Sequence, residues 1–434
     1  MKKEKIFFLL LSSLIIMNPH VLANGLNLNS LGSRAMAMGG AFVGLADDFS
    51  AIFWNPAGIV QFKQKYFGFY GVDIIPSGTY EFSVDSVTLV DAKTQTKHYL
   101  GGLAAYYHPI SENVVAGIGF YTPSGLGAKW NGNDFQSLTF QSAYKWESKV
   151  GMFTISPALA FKVHDRISVG ASLNINYGTF TIKTHAGDSE LGIDLGQYEE
   201  GLSGWGVGAT LGILFSPSEK LSLGATVRTP TKMSFSGDVE VSFLSILGLI
   251  PGTPLYGADI PTKTTMKRDV TWPLWLAAGV AVKPLEGLTL TGDLQWTQWS
   301  TIDVMESKYG DIVWMLLMET ERAMHWEDSL QIRFGAEYRY KAFAFRGGYY
   351  SDPSPAPDRT MNVLLPSFDF NVLTAGIGYI LNGLQIDFGV EYLMGKERNV
   401  DYEKKLTVPG WEEAQAGIYN MKVLSPNISV SFKF

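Results

Sequence analysis

Side chains able to do chemistry are sparse in this chain, and the three best placed to meet a small anion are arginines. If Leu223, Ala225 and Val227 face one way along an extended segment, Arg228 faces the other. The same phase argument turns Arg333 and Arg346 to the inner side. A guanidinium held there would neutralise a carboxylate, since an ionised acid buried without a partner is costly. The competing use is an ion-pair ladder with Asp293, Glu337 or Glu391. Other chemistry is poorly supplied. There is no cysteine, which excludes thiolate metal sites and thiol nucleophiles. His98, His108, His164, His185 and His325 are scattered over different turns and strands, and neither a Gly-x-Ser-x-Gly elbow nor a His-Glu-x-x-His pair occurs. Gly204-Trp205-Gly206-Val207-Gly208 lies within a strand pattern and opens no helix, so it is no phosphate loop. The residues describe no enzyme, no metal site and no cofactor.

What positions the arginines follows from composition. Of 434 residues, 46% are hydrophobic and only 17% charged, with 46 glycines, so the chain buries a large surface. The net charge of -7 comes without a basic cluster, which argues against a nucleic-acid partner. Lys2, Lys3 and Lys5 precede an apolar run from Ile6 to Met17, and Val21-Leu22-Ala23 offers a cleavage site. Residues 1–23 therefore read as a removable signal peptide, with Asn24 the first mature residue. The patches Val241 to Ile250 and Ile312 to Met318 are too short to span a bilayer as helices. An exported chain this apolar then points to a closed barrel, the other structure that satisfies its backbone in lipid.

Alternation supports the barrel. Trp205, Val207, Ala209, Leu211, Ile213 and Phe215 form one face, while Gly206, Gly208, Thr210 and Gly212 form the other. The dyad recurs from Ile167 to Tyr177 and from Leu384 to Tyr392. A soluble sandwich would carry Lys, Glu and Thr on its polar face, whereas this one carries Gly, Ser and Asn. Tight turns at Pro109 to Asn113, His164 to Arg166, Ser216 to Glu219, Pro284 to Gly287, Tyr340 to Ala342 and Leu381 to Gly383 alternate with long loops. The loops run from Val84 to Lys97, Trp130 to Lys149, Lys183 to Leu202, Gly237 to Pro261, Met305 to Trp326, Asp352 to Leu365 and Arg398 to Gly417. Short turns at one rim and long loops at the other are the outer-membrane pattern, with about fourteen antiparallel strands. Ile428, Val430, Phe432 and Phe434 alternate on the last strand, and its terminal Phe resembles the signal read by the bacterial barrel-assembly machinery.

The segment 24–61 breaks the alternation and reads as a plug, leaving 62–434 as barrel. Its run Leu31-Gly32-Ser33-Arg34-Ala35-Met36-Ala37-Met38-Gly39-Gly40-Ala41-Phe42-Val43-Gly44-Leu45-Ala46-Asp47-Asp48, followed by Phe53-Trp54-Asn55-Pro56-Ala57-Gly58, resembles the start of the outer-membrane long-chain fatty-acid transporter family, which also includes aromatic-hydrocarbon channels. The resemblance implies a small helical hatch inside the barrel, with the turn Asn55, Pro56 and Ala57 contacting an inward kink of the third strand. Independently, Asp47 or Asp48 can cap a short helix through Phe53, which Asn55-Pro56 would end.

On the third strand Pro123 cannot donate to a ladder, and Gly125 and Gly127, flanking Leu126, permit bends. An interruption is expected there, opening a gap in the wall whose backbone Asn55 could satisfy; a rim bulge without consequence is the alternative. The stretch holding Phe243, Leu244, Ile246, Leu247, Leu249 and Ile250 is too apolar to wave in water. It serves either as a groove where an amphiphile first lands or as a self-packed cap with Ile312 to Met318. The reading is an outer-membrane channel for passive uptake of hydrophobic small molecules, foremost long-chain fatty acids, leaving sideways through the kinked third strand. Its partners would be lipopolysaccharide, the surrounding membrane and, during biogenesis, the assembly machinery, with the barrel a monomer. An aromatic-hydrocarbon channel, a hydrophilic porin and an adhesin working through its long loops stand as alternatives.

Overall fold

The computed structural model describes residues 25–188 and 192–434. The expected signal peptide, 1–23, lies outside the described residues. Twenty strands join in one closed antiparallel sheet. The first seven are β1 (Tyr66–Val84), β2 (Val87–Lys93), β3 (Tyr99–Ser111), β4 (Val114–Trp130), β5 (Trp146–His164), β6 (Ile167–Asp188) and β7 (Ile193–Ser218). Next come β8 (Leu221–Arg228), β9 (Thr231–Val241), β10 (Lys263–Trp272), β11 (Trp275–Leu285), β12 (Leu288–Thr297), β13 (Val304–Tyr309) and β14 (Glu321–Ala323). The last are β15 (Ser329–Tyr340), β16 (Phe343–Asp352), β17 (Phe370–Leu381), β18 (Leu384–Gly395), β19 (Arg398–Val400) and β20 (Gly417–Lys433). Six spans are made of two consecutive segments each, so the barrel has fourteen spans, closed where β1 pairs with β20.

The dyad positions alternate as the sequence requires. Trp205, Val207, Leu211, Ile213 and Phe215 are exposed on the outer surface, whereas Thr210 is buried inside. The tight turns sit where expected: Asn382 and Gly383 both have positive φ (48° and 86°), the geometry a two-residue hairpin needs. The long loops are partly ordered as strand. The segment Lys183 to Leu202, expected as a loop, is a hairpin in which β6 and β7 stay paired as far as Asp188↔Ile193. Its inner face packs on protein through Ala186, Glu200 and Leu202, a mixture of residue types that no apolar–polar alternation marks. The loop Val84 to Lys97 likewise contains β2.

The hatch fills the lumen as α1 (Ser33–Ala37), α2 (Ala51–Trp54) and a 3-10 turn (Pro56–Gln61). Neither Asp47 nor Asp48 caps α2, which corrects that expectation: its N-cap is Ser50, without a side-chain cap bond, and Asp48 Oδ1 closes the turn before it by accepting from Ser50 N at 2.8 Å and Ser50 Oγ at 2.6 Å. Asn55 ends α2 in an extended conformation (φ -157°), as a residue before proline must. Small inner-face residues let the hatch backbone approach the wall. A side chain on Gly170 would collide with the backbone of Pro56, and one on Gly224 with the Val43 carbonyl. Wall side chains then satisfy the irregular hatch backbone. Asp293 accepts from Phe42 N and Val43 N at 2.9 Å each, Thr374 from Gly39 N at 3.0 Å, and Tyr107 donates to Phe49 O at 2.5 Å. Arg34 adds a buried ion pair to Glu337 at 2.8 Å.

A second irregular segment enters from the other end. The chain between β16 and β17 was expected to be an extracellular loop, yet most of residues 353–368 are buried within the barrel mouth. Its apolar Ala356, Met361, Val363, Leu364, Leu365 and Phe368 join the aromatic and methionine-rich core of the upper barrel. Burial of that apolar set outweighs the cost of enclosing backbone, because wall side chains again supply hydrogen bonds. Trp130 Nε1 donates to Val363 O at 2.8 Å, and Ser148 Oγ to Leu364 O.

Candidate functional site

The third strand itself is continuous, which corrects the expected interruption. β4 runs unbroken through Pro123, Gly125, Leu126 and Gly127 with a bulge between Tyr121 and Ser124, and its ladder with β5 resumes at Ser124↔Met152. What stops is the ladder with β3, whose last pair is Leu103↔Tyr121. Proline at 123 fits the end of that ladder, since it has no N–H to donate to β3. Beyond it β3 stays with β1, from Gly102↔Gly71 to Tyr99↔Ile74, so β3 and β4 diverge. The connection between β2 and β3 next reaches β4 at the bridge Thr94↔Trp130, with Gln95 N donating to Lys129 O at 2.7 Å. The Thr122 hydroxyl still accepts from Gly102 N at 2.9 Å, but beyond that contact no ladder joins the two strands up to the bridge, which leaves a split, and Leu100 beside it is 81% exposed on the outside.

The arm before the hatch, not the Asn55 turn, braces this split. Leu28 N donates to Pro123 O at 2.9 Å, Asn27 bridges Ser124, and Ser124 Oγ donates to Asn27 Oδ1 at 3.0 Å. Asn55 works elsewhere: its Nδ2 donates to Val43 O and Ile213 O, both at 3.0 Å, and its Oδ1 accepts from Ala57 N at 3.1 Å. Pro56 and Ala57 lie against Gly170 and Ser168 of β6. That turn therefore fastens the hatch to the β6–β8 wall. The arm went unread because its signal, the short alternation Leu26-Asn27-Leu28-Asn29, is weak.

Behind the split lies a cavity of about 120 Å³. Tyr99, Gly125 and Gly127 line it on the split side, Leu28 and Met36 from below, and Phe368 from the inserted loop. On the other flank of Asn27 and Ser124 is a polar recess of about 40 Å³, lined by Arg228, Asn176, Thr154 and Trp275. The three arginines separate here. Arg346 pairs with Glu337 at 2.6 Å and Asp387 at 2.8 Å, so its charge is neutralised within the wall. Arg333, fully buried, donates to Gln331 Oε1 and to Gly39 O and lies over the Tyr350 ring at 4.1 Å. Both hold structure together, which corrects their expected role as carboxylate sites. Of the acids named for the ladder, only Glu337 takes part; Asp293 holds the hatch and Glu391 accepts from Tyr350 OH at 2.6 Å.

Arg228 differs. It is clamped between the Phe53 and Trp275 rings, 4.6 and 4.7 Å from their centroids, and donates once, from Nη2 to Phe53 O at 3.0 Å. Among the described residues no carboxylate lies within ion-pair reach of it. Its planar fork therefore keeps donors available to the recess, a geometry suited to a carboxylate.

The apolar landing loop is a 3-10 turn, Leu244–Leu249, in which Leu244 is buried while Phe243, Ile246 and Ile250 are exposed and Leu249 is 74% exposed. Leu247 faces a chamber of about 420 Å³ shared with Leu317 and Met318, at the end of α3 (Ile312–Leu317). The two apolar loops meet around this chamber, and each keeps apolar residues outward, Leu316 at 75%. They are thus not merely packed on each other.

A closed barrel of fourteen spans with an internal hatch and an enclosed cavity is the architecture of an outer-membrane β-barrel, and among the described residues no helix is long and apolar enough to cross a membrane. Residues 15–428 match the model of the outer membrane protein transport protein family (OMPP1/FadL/TodX), and the chain belongs to that family. Its members are transport channels for hydrophobic compounds, not enzymes. The chain is 24% identical over 415 residues to the long-chain fatty acid transport protein of Escherichia coli, covering 86% of this chain and 87% of that protein. It is 21% identical to outer membrane protein P1 of Haemophilus influenzae, over 96% and 99% of the two chains. The fold matches the crystal structure of a Pseudomonas aeruginosa FadL homologue with a TM-score of 0.80 at 15% identity, over 94% of this chain and all of the other. It also matches the Pseudomonas putida toluene transporter TodX, with a TM-score of 0.70 at 15% identity, over 94% and 99%.

Proposed function

We propose that the chain takes up long-chain fatty acids passively and releases them sideways into the outer membrane through the split between β3 and β4. The observation that carries this reading is the cavity lined by Tyr99, Gly125 and Gly127, which abuts the split on its inner side. A cargo released downward into the periplasm would expose its chain to water at about 0.8 kcal/mol per CH₂. Sideways release keeps the chain in apolar surroundings throughout. The hatch, tied to the wall at many points, is the floor under the cavity, and Asn55, Pro56 and Ala57 keep that floor shut. The exposed residues of the 243–250 turn and of α3 collect the amphiphile from outside.

Arg228 favours an acid over a hydrocarbon. The cavity's own carboxyl groups, on Asp352 and Glu391, offer an acid's head no partner, so the head belongs across the arm at Arg228. An aromatic-hydrocarbon channel would leave Arg228 without a ligand role. The barrel acts as a monomer, set in the membrane by the assembly machinery and surrounded by lipopolysaccharide. Expression in cells lacking their own route should raise uptake of radiolabelled oleate. Faster entry of toluene without oleate would move the reading to hydrocarbons. Liposome swelling with sugars would replace it with a hydrophilic porin, and loss of surface attachment with unchanged growth on oleate on deleting the gene would favour an adhesin.

A further inference from the structure

Building on the reading of the inner cavity as the cargo site, we propose that the segment between β16 and β17 is a removable roof on that cavity, strapped shut by Arg398. The same loop borders two separate spaces. Pro366, Ser367 and Phe368 line the inner cavity, whereas Thr360, Asn362 and Leu364 line a polar chamber of about 270 Å³ toward the outside. The loop is therefore the partition between them, and a cargo arriving from the loops above must displace it.

Its construction suits displacement. Between Asp352 and Phe370 it has no ladder partner and one 3-10 turn, Asp358–Thr360. Prolines at 353, 355, 357 and 366 restrict the conformations it can take once freed. Side chains hold most of it, beside three backbone bonds outside the ladders, from Glu327 N to Pro355 O at 2.8 Å, Gln415 N to Met361 O at 2.9 Å and Lys396 N to Asp369 O at 2.8 Å, so it can leave without breaking the barrel's strand pairing. One residue gathers three points along it. Arg398 Nη1 donates to Ser354 Oγ at 2.9 Å and to Ser367 O at 2.8 Å, while Nε and Nη2 donate to Asp358 Oδ1 at 3.0 and 2.5 Å. Arg398 thus ties the first limb, the tip and the second limb together from β19, whose pairing with β20 fixes it to the wall. Only the tip, Asp358 and Arg359, is exposed. Trp130 and Ser148 hold the buried middle.

The absence of native cysteine allows a direct test in the assembled full-length barrel. Val363, a fully buried residue of the roof itself, is replaced by cysteine and its labelling by a water-soluble maleimide is timed. Binding and release of dansylaminoundecanoate are followed in parallel by fluorescence. Adding Arg398→Ala should speed labelling roughly tenfold, as expected when a multiply hydrogen-bonded charged anchor is lost. The probe's association and dissociation should accelerate together with its equilibrium affinity little changed, and Arg398→Lys should fall between. Heat-modifiability on gels confirms that each variant is assembled. Equal labelling of Val363→Cys with and without Arg398 overturns the roof as a moving part. Faster labelling with unchanged probe rates overturns its place on the cargo route. If wild type binds no probe, the cargo reading fails and the roof is withdrawn with it, an outcome told apart by the labelling rates.

Discussion

Replacing Arg228 with glutamine should abolish discrimination between an acid and its matching alcohol while leaving the barrel intact. Among the described residues Arg228 has one hydrogen bond, to Phe53 O, and two ring contacts, and no carboxylate within ion-pair reach. Glutamine keeps a donor for Phe53 O and much of the side-chain length, so hatch and wall should hold. A hydrogen bond to a charged group contributes about 1.5–3 kcal/mol. Losing it should weaken binding of a fatty acid roughly 10- to 150-fold. The alcohol, which makes at most a neutral contact, should weaken less than about threefold. Competition binding of palmitate and hexadecanol against one fluorescent probe measures both in the same sample. Arg333→Gln is no suitable control, since Arg333 supports Gly39 of the hatch. Equal affinities for acid and alcohol in wild type, unchanged by Arg228→Gln, would refute the reasoning and favour a neutral cargo.

Asn55→Ala removes the donor to Val43 O, leaving that buried carbonyl unsatisfied, and the tie to Ile213 O, and should lower the hatch's resistance to proteolysis by about 1–3 kcal/mol. Limited proteolysis of the native barrel checks this, and a hatch as resistant as wild type would contradict it. Burial pushes the Asp48 carboxyl up to about 6, against the opposing pull of Arg34. A raised carboxyl favours the docked hatch while protonated, so this contribution is full below about pH 4 and lost as pH rises through 6. Asp48→Asn, neutral throughout, should raise the temperature of heat modification at pH 8 and gain little at pH 4, because Arg34 retains Asp47 and Glu337. A variant less stable than wild type at pH 8 would contradict that sign.

The barrel was legible because lipid imposes a rule on every spanning strand, and residues such as Trp205 to Phe215 obey it one by one. The tight turns were legible for a related reason, since Asn382-Gly383 supplies the positive φ that a short hairpin demands. Where water or protein covers both faces the rule lapses. The upper β6–β7 hairpin and the inward fold between β16 and β17 were therefore both read as outside loops. Pro123 sits at a bulge of an otherwise continuous β4, and local composition does not say which neighbouring ladder stops there. That depends on β3 remaining with β1. The inward direction of Arg228, Arg333 and Arg346 followed from strand phase. Which of them lacked a partner did not, because Asp387, Gly39 and Gln331 come together with them only through folding.

Lateral release is tested most directly by closing the split. A side chain on Gly125 would meet Leu28 at 3.5 Å, ordinary contact, so Gly125→Val can fold and occupy space at the mouth of the cavity. At Gly127 it would press on the Tyr99 ring at 2.6 Å, forcing that ring to move. Oleate uptake is measured in cells carrying wild type, Gly125→Val and the Gly125→Val/Gly127→Val pair, at matched surface abundance and with heat-modifiability confirmed. Lateral exit predicts that the assembled single variant loses most of its uptake and the pair nearly all of it. Wild-type uptake by the assembled pair would contradict lateral exit and send the cargo through the hatch instead.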